Sequence, residues 1–250
     1  MKKRGRQVGE IRIRNTERGV AYPVIEGVTN IPAWSRGASP WCDLSPFKIG
    51  PVKFEEDGEM KTCRTFETWW QSFKVWPRVD KQQQWCWRWS AVDHIDKDDL
   101  KNKPKEELVP NNAWTHWHNT LLKNDKPVRR PNGRAIPLFA WWQGRRLDVI
   151  QARKELYIPY LQKLYREHPT YKRLLEMVSV EGKDICIIEP DGPRSEYFKD
   201  GLVVNMSLLR KLQTVTEMRH FPGTEGKGGS RYVPYGHGYV LALTLLEDMN

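Results

Sequence analysis

Apolar and polar positions alternate at three places in the first quarter of the chain. VGEIRIR (8–14) predicts a strand, YPVIEGV (21–27) a second, and FKIGPVKF (47–54) a third around a Gly-Pro interruption. The polar run EEDGEM (55–60) reads as a turn. The period then changes. In TFETWWQSFKVW (65–76), Phe66, Trp69, Trp70, Phe73 and Trp76 form a helical stripe, with Thr65 as N-cap and Pro77 as the stop. A second aromatic helix is expected over about 82–92, where Trp85 and Trp89 lie four apart.

The run DKDDLKNKPKEELVPNN (96–112) is charged and holds Pro104 and Pro110, so it reads as a surface loop or insertion. The pattern is helical again from Trp114 to about Asn124, and RRPNGRAIP (129–137) is a basic turn segment. Residues 138–168 predict one long helix, or two broken near Gly144 or Pro159, followed by a helix at about 169–179. DICIIE (184–189) predicts a short buried strand ending in the turn PDGP, and residues 205–219 look helical. FPGTEGKGGS (221–230) is a Gly-rich loop, and GHGYVLALTLLED (236–248) predicts an apolar terminal helix. Strands and helices do not alternate, which disfavours a doubly wound sheet. The expected class is α+β: a predominantly helical single domain over 21–250, with a small β-sheet from the first quarter plus strand 184–189. A basic segment over 1–20 precedes it, and the stretch at about 93–136 looks inserted.

Composition narrows the picture. A chain of 250 residues can bury a core without a disulfide or metal staple. The 12 Trp, 9 Tyr and 7 Phe exclude a disordered chain despite a mean hydropathy of −0.71. Cys42, Cys63, Cys86 and Cys186 are scattered without a CxxC, which supports neither a disulfide framework nor a zinc knuckle and makes a reducing, cytoplasmic location the expectation. No apolar run reaches membrane-spanning length, and the basic amino end has no apolar stretch behind it. Charge is uneven: residues 1–20 carry +5 and residues 119–173 carry +9 of a total of +10. Two basic stretches suit a polyanion-facing surface, and equally a solvated helix face.

Several constellations could carry chemistry. Glu67, Gln71 and Lys74 are spaced to share one helix face beside Trp70, a carboxylate, an amide and an amine bordered by indole. The same spacing suits an ordinary solvent-facing polar ladder. Glu189 and Asp191 follow the buried strand, where active-site loops and plain turns both occur. The Gly-rich stretch 222–238 offers backbone amides with Lys227 and Arg231, and His237 opens the last helix. It lacks the nucleotide-triphosphate loop motif and also reads as a flexible loop. His116 and His118 diverge on a helix and have no third ligand, so no metal is expected. Protease and esterase motifs are absent from the sequence. Most tryptophans between 69 and 142 belong to a core, with one or two free to stack on a base.

The spacing T-x-E-x-x-x-Q-x-x-K in TFETWWQSFK (65–74) resembles the motif of the NADAR (YbiA-like) family. LSPFKIGPVKF (44–54), ARKELYIPYLQKLYREHPTYKRLLE (152–176), DICIIEPDGP (184–193) and GHGYVLALTLLE (236–247) are similar to that family's other blocks, in the same order. The family's His after the motif Glu is Thr68 here, its Trp-Gly after the Asp is replaced by Gly192-Pro193, and His237 stands where Asn is usual.

The resemblance implies a NADAR-like α+β fold and an N-glycosidase acting on an ADP-ribosylated or ribosyl-phosphate nucleobase. It implies Glu67, Lys74 and Asp191 as catalytic residues. Trp69, Trp70, Gln71, Glu189, Arg231 and His237 would bind substrate. Expected partners are a nucleotide or ADP-ribose-type ligand, with DNA or RNA open, and no membrane; no cofactor or metal is expected. Two alternatives stand beside it: a non-enzymatic nucleotide- or nucleic-acid-binding protein that keeps the fold, and a phage base-modification enzyme. A basic patch of Arg129, Arg130, Arg134, Arg145 and Arg146 would attract the anionic ligand.

Overall fold

A computed structural model describes residues 8–15, 24–75, 109–110, 112–123, 137–189, 201–216 and 235–250. In chain order the elements are β1 (Ile11–Asn15), β2 (Thr29–Ile31), a 3-10 turn (Trp41–Leu44), β3 (Val52–Glu56), β4 (Glu59–Cys63), α1 (Phe66–Ser72), β5 (Lys74–Val75) and α2 (Asn112–Lys123). They continue with β6 (Phe139–Trp142), β7 (Arg145–Leu147), α3 (Val149–Ala152), a π-helical turn (Arg153–Tyr157), α4 (Ile158–Glu167), α5 (Pro169–Ser179), β8 (Ile185–Glu189), β9 (Leu202–Val203), α6 (Met206–Leu212) and α7 (His237–Asp248). The class is α+β. The chain divides into two compact units, residues 50–157 and the two flanking stretches 1–49 and 158–250 together.

In the flanking unit, a four-stranded sheet runs β2-β8-β1-β9. β8 lies between β1 and β2 and is parallel to both, and β9 is antiparallel to β1. All five residues of β8 are buried, as a strand covered on both faces should be. Of the sheet expected from the first quarter plus strand 184–189, only 8–14 and 184–189 pair here, as β1 and β8; the strand expected at 47–54 belongs to a separate hairpin, and β2 and β9 complete the sheet instead. α7 is buried around its whole circumference from Val240 to Leu245, with Thr244 its one polar side chain there, and packs on β8, β1, α4 and α6. α5 begins on His168, whose ring accepts from the Thr170 N–H, with Pro169 at the first helical position.

The strand expected at 21–27 is not formed over 24–28; residues 21–23 lie outside the described set. The Asn30 side chain bonds the Ile25 N–H and the Ile25 and Val28 carbonyls, closing a turn with Gly27 at φ +75°, so pairing starts only at Thr29. The strand expected at 47–54 likewise starts late, at Val52, because Lys48 and Ile49 donate to the Ser45 carbonyl in a turn.

The unit of residues 50–157 contains two hairpins. β3 and β4 join through Asp57 (φ 54°) and Gly58 (φ 77°), with Glu56 opposite Glu59. β6 and β7 join through Gln143 (φ 47°) and Gly144 (φ 72°), with Trp142 opposite Arg145. Both central residues are left-handed in each loop, the conformation whose twist matches two antiparallel strands. The helix expected from 138 therefore begins only at Val149, after the second hairpin. There the Asp148 carboxylate accepts from Ile150 and Gln151, and the Gln151 side chain accepts in return from the Asp148 N–H.

The predicted helix 65–76 is also shorter. Thr65 caps it as expected, accepting from the Thr68 N–H, but the helix ends at Ser72. The Phe73 and Val75 carbonyls accept from Trp141 and Leu138, and β5 pairs antiparallel with β6. Lys74 is therefore a strand residue. Pro77, the predicted helix 82–92, the charged run 96–108 and the Gly-rich loop 221–230 lie outside the described residues.

Trp69 centres this unit's core. Its ring lies 5.3 Å from Phe73, 5.5 Å from Phe66, 6.0 Å from Trp142 and 6.1 Å from Phe54, mostly edge to face. It is fully buried, as are Phe66 and Phe73. Trp69→Ala should lower stability by about 3–5 kcal/mol, the usual cost of deleting a buried aromatic. Urea unfolding followed by circular dichroism measures it.

Candidate functional site

In the 50–157 unit, α1 presents a carboxylate and an amide four residues apart. Gln71 Nε2 donates to Glu67 Oε1 at 2.7 Å, and the two residues are 1% and 4% exposed. That bond fixes which end of the amide faces the carboxylate. It leaves Gln71 Oε1 buried without a hydrogen-bond partner among the described residues. One turn away, Trp70 is half-buried and meets Tyr157 edge to face at 5.0 Å. Lys74 Nζ lies 4.8 Å over the Trp70 ring. Leaving the helix for β5 therefore keeps Lys74 beside Trp70 by a route the helical spacing did not foresee.

Trp69, expected as a base-stacking residue, belongs to the core, its ring surrounded by four other aromatics. Of the two expected indoles, only Trp70 has exposed surface. Tyr157 was not singled out in the sequence. It reaches Trp70 from the π-helical turn, whose extra residue has no signature in the 3.6-residue period.

A second polar cluster in the same unit also escaped the sequence reading. His118 Nδ1 donates to the Ser72 carbonyl at 3.1 Å, and His118 Nε2 faces Glu56 Oε2 at 3.1 Å. Lys61 Nζ lies 2.8 Å from the same Glu56 oxygen. The His118 ring stacks on Trp114 at 5.0 Å and touches Phe73 at 4.9 Å. The sequence showed His118 only as half of a poor metal pair. Burial pushes the Glu56 carboxyl up, but the hydrogen bonds from His118 and Lys61 outweigh it and hold the group below its ordinary range. Among the described residues no cluster of His, Cys, Asp or Glu suits a metal ion.

In the flanking unit, Glu189 and His237 come together. Glu189 is fully buried at the end of β8, and its Oε2 accepts from the Gly238 N–H. His237 Nδ1 lies 3.5 Å from the same oxygen, and His237 Nε2 donates to the Ala33 carbonyl at 3.0 Å. Tyr165 donates to the His237 carbonyl at 3.3 Å; burial, and then the Glu189 charge, push its phenol well above the ordinary range. A Cβ on Gly236 would sit 2.5 Å from Glu189 Cδ, and one on Gly238 would sit 2.7 Å from Oε2. Gly236 brings no side-chain cap to α7, so the Glu189 carboxylate does that work from another element.

Asp191 and Arg231 lie outside the described residues, as do Arg129, Arg130 and Arg134. Of the expected basic patch, Arg145 pairs with Glu155 at 2.8 Å, and the Arg146 guanidinium lies 4.2 Å over Phe139. Further along the basic segment, Arg166 bonds Asp248 at 2.9 Å and Glu247 at 3.0 Å, and Arg173 bonds Glu176 at 2.7 Å and also Glu181. Arg145, Arg166 and Arg173 have carboxylates within their own unit, which favours the solvated-face reading of their charge.

Two outcomes follow from the carboxylates. Since Glu56 titrates below the 4.5 of a free side chain, its stabilising contribution is complete above that pH and is lost as pH falls through the depressed value. Acid unfolding of Glu56→Gln should accordingly be flatter below pH 4.5 than that of the wild type. Gly238→Ala should destabilise by several kcal/mol, in the range reserved for clashes with a buried network, because Glu189 and Ile187 both lie within 3.1 Å of the added carbon. Thermal melts of Gly238→Ala beside the wild type check this.

No helix among the described residues is long and apolar enough to cross a membrane. Comparison with known proteins finds no matching family model, curated protein or solved structure.

Proposed function

We propose that the protein is an N-glycosidase acting on an ADP-ribosylated or ribosyl-phosphate nucleobase, with a NADAR-like fold. The supporting observation is the Glu67–Gln71 pair: a buried carboxylate oriented by an amide whose own acceptor oxygen is buried without a partner among the described residues, on the helix that also carries Trp70 under the Lys74 ammonium. The motif spacing and the order of the sequence blocks supply the family reading.

The chemistry suits these groups. As the C1′–N bond breaks, its electron pair leaves with the base and positive charge builds on the sugar. A carboxylate at that point stabilises the cation or takes a proton from the attacking water. Glu67 takes this role. Gln71 Oε1 accepts an N–H or O–H from the substrate, the gain being large because the atom is already desolvated. Trp70 offers a ring face to the base, and Lys74 holds a phosphate or forms a transient imine with the opened sugar. Asp191 and Arg231 lie outside the described residues, and His237, buried with its ring nitrogens facing Ala33 and Glu189, is not kept as a substrate ligand. Glu189 is proposed to act by holding the start of α7.

The test is release of free base from an ADP-ribosyl-guanine oligonucleotide, followed by chromatography. Glu67→Gln keeps size and removes charge, so kcat should fall at least ~10²-fold while substrate affinity changes little. Full activity in Glu67→Gln overturns the assignment. Tight, steeply salt-dependent binding of the oligonucleotide without release would establish the nucleic-acid-binding alternative instead.

A further inference from the structure

We propose that Cys42 and Lys48 are an oxidative cross-linking pair, in which a hydroperoxide drives formation of a sulfur–nitrogen bond between Sγ and Nζ. The two atoms lie 2.9 Å apart, already at the distance of a near-attack contact. Local folding holds them there. Cys42 lies in the 3-10 turn Trp41–Leu44, and the Ser45 carbonyl accepts from both Lys48 at 2.8 Å and Ile49 at 2.9 Å, bringing the chain back on itself. Asp43 Oδ1 lies 3.5 Å from Lys48 Nζ and 3.7 Å from Cys42 Sγ, completing the cluster.

The thiolate form of a cysteine is the species that attacks peroxides, and the Lys48 ammonium lies where it can give its proton to the leaving oxygen. The sulfur in turn holds the Lys48 amine above its ordinary range, chiefly through their hydrogen bond. In the first step the thiolate attacks one peroxide oxygen; the S–O bond forms, the O–O bond breaks, and the leaving hydroxide takes the ammonium proton to become water. In the second step the neutral amine attacks sulfur; the S–N bond forms, the S–O bond breaks, and the hydroxyl departs with an amine proton as a second water. One thiol, one amine and one hydroperoxide thus give one sulfenamide and two waters, and two equivalents of external thiol reverse it.

Cys63 and Cys186 serve as comparators. Cys42 is 5% exposed, whereas both comparators are fully buried, and burial pushes their thiols up to about 11. Among the described residues neither has a lysine in hydrogen-bond contact in the way that Cys42 does.

The experiment treats the full chain with hydrogen peroxide and maps its tryptic peptides. A linked Lys48 resists trypsin, so residues 37–53 should appear as one peptide about 2 Da lighter than the linear sequence, reverting with dithiothreitol. Lys48→Arg keeps a cation beside the sulfur, but its guanidinium does not condense, so Cys42 should there accumulate as a dimedone-trapped sulfenic acid. Dimedone trapping of Cys42 in the wild type equal to that in Lys48→Arg, with normal cleavage after Lys48, overturns the proposal. An unoxidised Cys42 overturns it as well. A reducible peptide about 14 Da heavier overturns the direct S–N bond in favour of an oxygen-bridged link.

Discussion

The flanking unit depends on one buried contact, the Glu189 carboxylate against the first turn of α7. An apolar helix that starts inside a protein leaves backbone N–H groups that water cannot reach. α7 has no side-chain cap of its own, and the last residue of the central strand supplies the acceptor. Such a contact works only if the backbone comes close, and this is why residues 236 and 238 are glycine. Around the same point Asn15 Nδ2 donates to the Glu189 carbonyl at 3.0 Å, His237 reaches Ala33, and Tyr165 reaches His237. Strand, helix and loop positions are thus tied to one ionisable group. A residue with the look of a catalytic acid is, in this position, first a structural one.

In the other unit the organising material is aromatic. Trp69, Phe66, Phe73, Phe54 and Trp142 hold α1 against β3 and β6, so the face of α1 that carries Glu67, Trp70 and Gln71 is set by where Trp69 must go. Adjacent indoles consequently divide into a core residue and a half-buried one. The half-buried ring meets Tyr157 edge to face and has the Lys74 ammonium over it.

The sequence was most legible where one local rule governed the outcome. The stripe and cap of α1, the apolar α7, the buried β8 and the helices 169–179 and 112–123 all follow from period and capping chemistry. It was least legible where a tertiary partner overrode the local pattern. Lys74 left its helix because β6 offered Phe73 and Val75 hydrogen bonds, and β6 was itself hidden because FAWWQGRRL suits a helix until Gln143 adopts a positive φ that glutamine rarely takes. The Glu67–Gln71 contact could be read from an i to i+4 spacing. The Glu56–His118 pair, 62 positions apart, could not, since nothing local in either segment names the other.

The order of strands in the flanking sheet has a consequence for how the chain is made. β1 pairs with β8 across 174 positions and, among the described residues, otherwise only with β9, which comes later still. At ordinary rates of synthesis β1 waits roughly ten to thirty seconds for its partner to emerge. The 50–157 stretch, by contrast, is continuous and opens on a two-residue hairpin that forms within microseconds of leaving the ribosome. The nascent chain therefore carries a bare, arginine-bearing strand through most of its translation. Arg12 and Arg14, charges on a strand that must stay soluble alone, are the kind of residue that keeps such a strand from pairing with the wrong neighbour.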